Sequence, residues 1–209
     1  MSNKVTIVGT GPGDIRYITP MALEKIKNAD VLVGPKRLLD ELATPQQIQI
    51  FLNKNLKEIT ENIYKYQNNK KVVVMVSGDT GLFSYANYLS SYIEAKYLEI
   101  IPGISSVQLM FARLKRSWEN AQMISVHGRN DENLVQKIKS NPISAVLTGN
   151  PWTVTEISKH LLKHGVPNLD VAVGKDLSYP EEQIIYSNLE ELTKDRADYN
   201  NSVMVIFNE

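Results

Sequence analysis

Val5-Thr6-Ile7-Val8-Gly9-Thr10-Gly11-Pro12-Gly13-Asp14 reads as a short apolar strand that runs straight into a glycine loop. A continuous β-branched run suits a strand covered on both faces, and such strands belong to parallel sheets flanked by helices. Thr19-Pro20 then offers an N-cap and a first-turn proline for a helix through about Asn28. Strand, loop and helix in that order open an α/β unit. Dinucleotide enzymes place a phosphate loop here, but their fingerprint requires a third glycine where this chain has Asp14. Pro12 also lacks the N–H that a phosphate would want, and an Asp carboxylate repels it. The bare pattern is equally a tight turn in which glycine supplies a positive φ.

The alternation continues along the chain. Strands are expected at Val31 to Val33, Gln47 to Leu52, Val72 to Val76 and Tyr97 to Ile101. Helices are expected at Pro35 to Leu42, Phe83 to Glu94 and Ser105 to Leu114. Leu56, Ile59, Ile63 and Tyr66 make one apolar helical stripe. Periodicity fades over residues 115–120, the best linker, so the division is 1–114, 115–120 and 121–209. In the second half, strands fall at Gln122 to Val126, Ala145 to Leu147, Asp170 to Val173, Gln183 to Tyr186 and Ser202 to Phe207. Helices fall at Asn133 to Lys139 and from Asn150-Pro151 to about His164. The last three strands lack long helices between them, which implies a mixed sheet. A ligand is expected in the cleft between the two α/β domains.

Composition narrows the function classes. The chain has 209 residues, 23 basic and 23 acidic side chains, three His and no Cys. A net charge of zero argues against a general nucleic-acid binder. Without Cys there is no thiolate nucleophile, disulfide, Fe–S cluster or Cys zinc site. His127, His160 and His164 are too few for a His-rich centre, so no metal is expected. His160 and His164 share a helix face, where complementing the C-terminal dipole is the favoured reading over metal ligation. Trp118 and Trp152 read as packing aromatics. No segment approaches the ~20 apolar residues of a membrane span, and no signal segment precedes the first strand, so the expected location is the cytoplasm.

Two further loops occupy the topological place of the first: Ser77-Gly78-Asp79-Thr80-Gly81 and Pro102-Gly103-Ile104-Ser105-Ser106. Loops at the carboxyl ends of strands converge on the ligand site of an open α/β sheet. With Leu147-Thr148-Gly149, and in this order and spacing, they resemble the tetrapyrrole methylase family over nearly the whole chain. Val33-Gly34-Pro35-Lys36-Arg37-Leu38-Leu39 and Ser125-Val126-His127-Gly128-Arg129 are similar to the branch that methylates the meso carbon C5 of precorrin-7 or its cobalt form, in cobalamin biosynthesis. Thr80 departs from that pattern, which commonly has Pro after the Asp. The resemblance implies a two-domain methylase fold and a C-methyltransferase using S-adenosylmethionine and releasing S-adenosylhomocysteine. It also implies a homodimer. Because the chain ends at Glu209, it further implies a separate protein for the C15 methylation and decarboxylation.

The resemblance places Pro12, Gly78, Asp79, Leu82, Ser105, Ser106, Thr148 and Gly174 near the cofactor. Asp79 has two open readings, facing the cationic part of the cofactor or capping the next helix. The substrate is a polycarboxylate, so Lys36, Arg37 and Arg129, with Gly11 and His127, are its candidate contacts. Lys36 and Arg37 read equally as solvated charges. His127 either orients a carboxylate, assists loss of a proton, or is structural. Asp14 is either a helix N-cap or a proton acceptor, the cap being favoured. Rival readings are another member of the family, acting on a different ring carbon, on diphthine or on rRNA ribose, and a non-catalytic α/β ligand-binding protein.

Overall fold

The computed structural model describes residues 4–53, 55–128, 130–195, 197 and 199–209. The chain divides into two compact units, residues 1–105 and 106–209. The division therefore falls before the expected linker at 115–120, and the helix at Ser106–Leu114 groups with the second unit.

The first unit is a parallel five-stranded sheet. Its strands are β1 (Val5–Gly9), β2 (Val31–Gly34), β3 (Ile48–Phe51), β4 (Val72–Val76) and β5 (Leu98–Ile101), in the order β3-β2-β4-β1-β5. β1 and β4 are buried at every position, as their continuous apolar runs require. Alternate side chains feed two cores. Val8, Leu32, Val73 and Met75 pack with helices α1 (Pro20–Lys27) and α2 (Lys36–Leu42). Val5, Ile7, Val31, Val33, Val72 and Val74 pack with α3 (Leu56–Gln67) and α4 (Tyr85–Ser90). The Thr19 hydroxyl caps α1 by accepting from the Ala22 N–H at 3.2 Å. α4 is shorter than the expected 83–94 helix, because Phe83 takes a positive φ of 50° and Ser84 becomes the cap.

In the second unit, helix α5 (Ser106–Leu114) precedes a mixed five-stranded sheet. The elements that follow are β6 (Gln122–Ser125), α6 (Leu134–Lys139), β7 (Ile143–Leu147), α7 (Val154–Lys163), β8 (Asp170–Lys175), β9 (Gln183–Asn188), α8 (Leu189–Lys194) and β10 (Ser202–Phe207). Strand order is β6-β7-β10-β8-β9, with only β6 and β7 parallel. One face packs Val146, Val171, Val173, Met204 and Ile206 against Leu134, Ile157, Leu161 and Leu192 of α6, α7 and α8. The other face, with Ala145, Ala172, Val203 and Val205 buried, is where α5 lies against β10. Two expectations need correcting. Asn150-Pro151 does not open α7; the chain first closes a turn, with Gly149 N–H donating to the Trp152 carbonyl at 3.1 Å, and Thr153 is the cap. Trp118 is 47% exposed and packs into neither core.

Among the described residues no helix is long and apolar enough to cross a membrane.

Candidate functional site

In the first unit the three glycine loops meet backbone to backbone at the carboxyl ends of β1, β4 and β5. Gly11 and Gly78 form an antiparallel bridge, with Gly78 N–H donating to Gly11 O at 2.7 Å and the reverse bond at 3.2 Å. Thr10 extends the join, its N–H and hydroxyl both donating to the Val76 carbonyl, at 2.9 and 3.0 Å. A Cβ on Gly9 would lie 2.6 Å from Gly103 N, and one on Gly103 would lie 2.3 Å from Gly78 O. Only glycine allows these loops to approach so closely. β1 and β4 are neighbours whose outgoing connections run toward opposite edges of the sheet, the arrangement that opens a ligand crevice in such folds.

Asp79 ties the loops together. One carboxylate oxygen accepts from Gly81 N–H at 2.8 Å and the other from Gly103 N–H at 3.0 Å. It does not cap α4, a role that falls to Ser84. Ser105 is buried behind Gly78, its Cα 3.7 Å from where a Gly78 Cβ would be. Pro12 and Leu82 are half-buried on the same loops. The dinucleotide reading fails for a structural reason as well, because a 3-10 turn at Ile15–Tyr17 separates the glycine loop from α1. No helix N-terminus therefore stands behind this loop to hold a phosphate.

Asp14 is the N-cap of that turn, accepting from Arg16 N–H at 2.8 Å and pairing with the Arg16 guanidinium at 2.6 Å. Hydrogen bonds from the Arg16 side chain hold its carboxyl below the ordinary range, which makes it a weaker proton acceptor. Lys36 and Arg37 begin α2, directly after β2, so they lie at the same sheet edge as the glycine loops. Their charges are met on the helix itself, Lys36 by Asp40 at 2.8 Å and Arg37 by Glu41 at 3.3 Å. Exposed pairs of this spacing contribute only about 0.3–0.5 kcal/mol, so an anionic ligand could displace them.

In the second unit the loops after β6 and β7 carry the remaining candidates. His127 Nδ1 lies 2.9 Å from the Thr148 carbonyl. A carbonyl only accepts, so Nδ1 carries a proton and the neutral ring has its bare lone pair on Nε2. Gly149 lies against the ring, since a Cβ there would come within 2.4 Å of Nδ1. The Thr148 hydroxyl is buried and committed to Ser202, 2.9 Å from its carbonyl and 2.7 Å from its hydroxyl. The Thr148 N–H also donates to the Ser202 carbonyl, at 3.3 Å, and the Thr148 carbonyl meets His127. Gly174 is buried in β8, where a Cβ would meet Met110 Sδ at 2.4 Å. Ser106 is the first residue of α5. Arg129 lies outside the described residues.

The His160 and His164 rings lie tilted at 38° with centroids 4.2 Å apart, and His164 Nδ1 sits 2.8 Å from the His160 carbonyl. Burial, then the neighbouring His164 and Lys163 charges, push the His160 pKa down. Three contributors carried no role in the sequence reading: Ser202, which anchors Thr148; Asn130, bonded through Oδ1 to Trp152 Nε1 at 2.8 Å; and Gly149 as the seat of His127. The one local signal was a glycine directly after Thr148. The other two depend on pairings distant in sequence.

The model of the tetrapyrrole (corrin/porphyrin) methylases matches residues 4–193. A probable cobalt-precorrin-7 C(5)-methyltransferase of Methanocaldococcus jannaschii is 34% identical, over 93% of this chain and 94% of that protein. The cobalt-precorrin-7 C(5)-methyltransferase of Salmonella typhimurium is 27% identical, over 98% of this chain and 99% of its own length. Among solved structures, uroporphyrin-III C-methyl transferase from Thermus thermophilus complexed with S-adenyl homocysteine shares the fold, with a TM-score of 0.81 at 21% identity, covering 99% of this chain and 98% of that one. A parallel sheet carrying three interlocked glycine loops, a mixed second sheet and an end-to-end sequence match agree: this chain belongs to the tetrapyrrole (corrin/porphyrin) methylase family.

Proposed function

We propose that this protein transfers a methyl group from S-adenosylmethionine to the meso carbon C5 of precorrin-7 or cobalt-precorrin-7, in cobalamin biosynthesis. The observation that carries the reading is the nearly full-length similarity to C(5)-methyltransferases, at 34% and 27% identity. Bound S-adenosylmethionine supplies a methyl already activated on a sulfonium, so the chemistry calls for no enzyme nucleophile. The protein's task is to align and to exclude water, and alignment alone can contribute about 7–11 kcal/mol. The glycine loops suit that task. Pro12, Gly78, Asp79, Leu82 and Ser105 would form the first unit's part of the cofactor surface, with Ser106, Thr148 and Gly174 from the second. At Gly78, a Cβ would meet nothing nearer than Ser105 Cα at 3.7 Å, which leaves room for a planar group against backbone.

Toward the substrate, Gly11, Lys36, Arg37, His127 and Arg129 are the proposed contacts. His127 would present Nε2, accepting a hydrogen bond when neutral and donating one to a carboxylate arm when charged. Asp14 is assigned to its turn rather than to proton transfer, on the strength of its pairing with Arg16. In this reading the enzyme works in the cytoplasm as a homodimer. The test is incubation of the purified protein with S-adenosylmethionine and precorrin-7, with and without cobalt, read by mass and visible spectrum. Gain of one methyl at C5 is expected. Methylation of a different tetrapyrrole would transfer the reading to another branch of the family, and absence of cofactor binding by calorimetry would overturn it.

A further inference from the structure

The loop after β6 and the loop after β7 are pinned to each other twice, in opposite directions. His127 reaches from the first loop to the Thr148 carbonyl of the second, at 2.9 Å. Trp152 reaches back from the second, its indole N–H donating to Asn130 Oδ1 at 2.8 Å. The two pins bracket Gly128, which takes a positive φ of 66° and, among the described residues other than its chain neighbours, has no atom within 4 Å of where a Cβ would stand. Trp152 is also the closing residue of the turn that carries Gly149, because its carbonyl accepts from Gly149 N–H at 3.1 Å. The same residue thus serves both sides of His127, its indole N–H holding the turn beyond the ring through Asn130 and its backbone carbonyl closing the turn that seats the ring on Gly149. The indole is itself braced: it packs against the second unit's core, and its ring meets His160 edge-on at 5.0 Å.

We propose that Trp152 is a positioning residue for substrate binding, its indole N–H acting through Asn130 to hold His127 with Nδ1 protonated and Nε2 presented outward. The proposal rests on the reading of His127 as a substrate contact. A lone imidazole in water favours the proton on Nε2, so the presented tautomer dominates while the Thr148 carbonyl stays within reach. Loosening the turn on either side of Gly128 lets the ring drift from that carbonyl. Packing alone would not need the indole N–H, and a phenyl ring would fill most of the same space.

Trp152→Phe removes the N–H and keeps an aromatic ring, whereas Asn130→Ala cuts the same bond from its exposed side and cannot disturb the core. Nitrogen NMR of the free protein reads the His127 tautomer directly. Steady-state kinetics with the corrinoid, and calorimetry with S-adenosylmethionine, read the consequence. Both variants are expected to shift His127 away from the Nδ1-protonated form. Each should raise the corrinoid KM roughly three- to tenfold, the range of a single lost hydrogen bond. Neither should change kcat or cofactor affinity, and the double variant should be no worse than either alone. An unchanged His127 tautomer overturns the proposal. His127→Gln separates the two layers: if it raises KM and Trp152→Phe does not, the positioning role falls and the substrate contact stands. If neither raises KM, the substrate role of His127 falls, and the positioning role falls with it.

Discussion

Asp79 and Gly103 show how a single side chain and a missing one can hold three loops together. Both Asp79 oxygens accept backbone N–H bonds, from Gly81 and Gly103. Asn at this position keeps only one accepting atom, and its amide turns an N–H toward an N–H. Leaving one such donor unmatched costs about 1–3 kcal/mol. Asp79→Asn is therefore expected to lower the melting temperature, by about 2–4 °C for each kcal/mol lost in a chain of this size, and to weaken cofactor binding by loosening the loops. Weakened binding at an unchanged melting temperature would instead show that the carboxylate meets the cofactor's charge. Gly103→Ala is the harsher change. Its Cβ would lie 2.3 Å from Gly78 O and 2.8 Å from Gly9 backbone, and neither partner is a flexible side chain that can move aside. Overpacking of this kind costs typically about 1–3 kcal/mol, and here it also separates β1's loop from β5's. Calorimetry with S-adenosylmethionine should find little or no binding, and near-normal affinity would show that the loops close without that contact.

The helices reveal which local signals are reliable. Thr19-Pro20 announces α1 correctly because the cap is a strictly local bond, Thr19 hydroxyl to Ala22 N–H. Asn150-Pro151 imitates the same signal and misleads, since the turn it enters is closed by Gly149 and Trp152. The true start of α7 was also written locally: Thr153-Val154-Thr155-Glu156 has the spacing of a capping box, and the Thr153 hydroxyl accepts from Glu156 N–H at 3.3 Å. α8 is only six residues long and hid between two strands, although Asn188 caps it by accepting from Glu191 N–H at 2.9 Å. Near the end of α7, His160 stands between Trp152 and His164. Burial and neighbouring positive charge lower its pKa, so below about pH 6.5 the unfolded chain binds a proton that the folded chain resists. Stability carried by neutral His160 is thus present above that value and is lost as pH falls toward the lowered one. His160→Asn should shrink the drop in melting temperature between pH 7.5 and pH 5.5. An identical drop in both proteins would remove His160 from the acid response.

For the molecule as a whole, a net charge of zero is consistent with a polyanionic substrate only if positive charge is available locally. Lys36 and Arg37, each within reach of a helix carboxylate, meet that condition as exchangeable charges rather than as a free basic rim. The alternating strands and helices, the parallel first sheet and the mixed second sheet were legible because β-branched runs and apolar stripes are local. The glycine loops were legible as motifs, but their interlocking was not, since Gly11–Gly78 and Asp79–Gly103 are pairings that only the sheet order brings about. The same limit bears on the division between the units. Residues 115–120 lose periodicity, yet α5 before them groups with the second unit. Gly174, Ala172, Val203 and Val205 share the sheet face on which α5 lies, with Met110 Sδ 2.4 Å from a Gly174 Cβ position. Removing α5 would expose that face, and two uncovered valines alone forfeit about 3–6 kcal/mol, a large share of the roughly 5–15 kcal/mol that holds a domain folded. A fragment of residues 106–209 is therefore expected to be soluble, with strand and helix circular dichroism and a cooperative melt. A fragment of residues 121–209, cut at the apparent linker, should aggregate or melt without cooperativity. Equal stability of the two fragments would show that α5 contributes nothing to the second core and would return the boundary to 115–120.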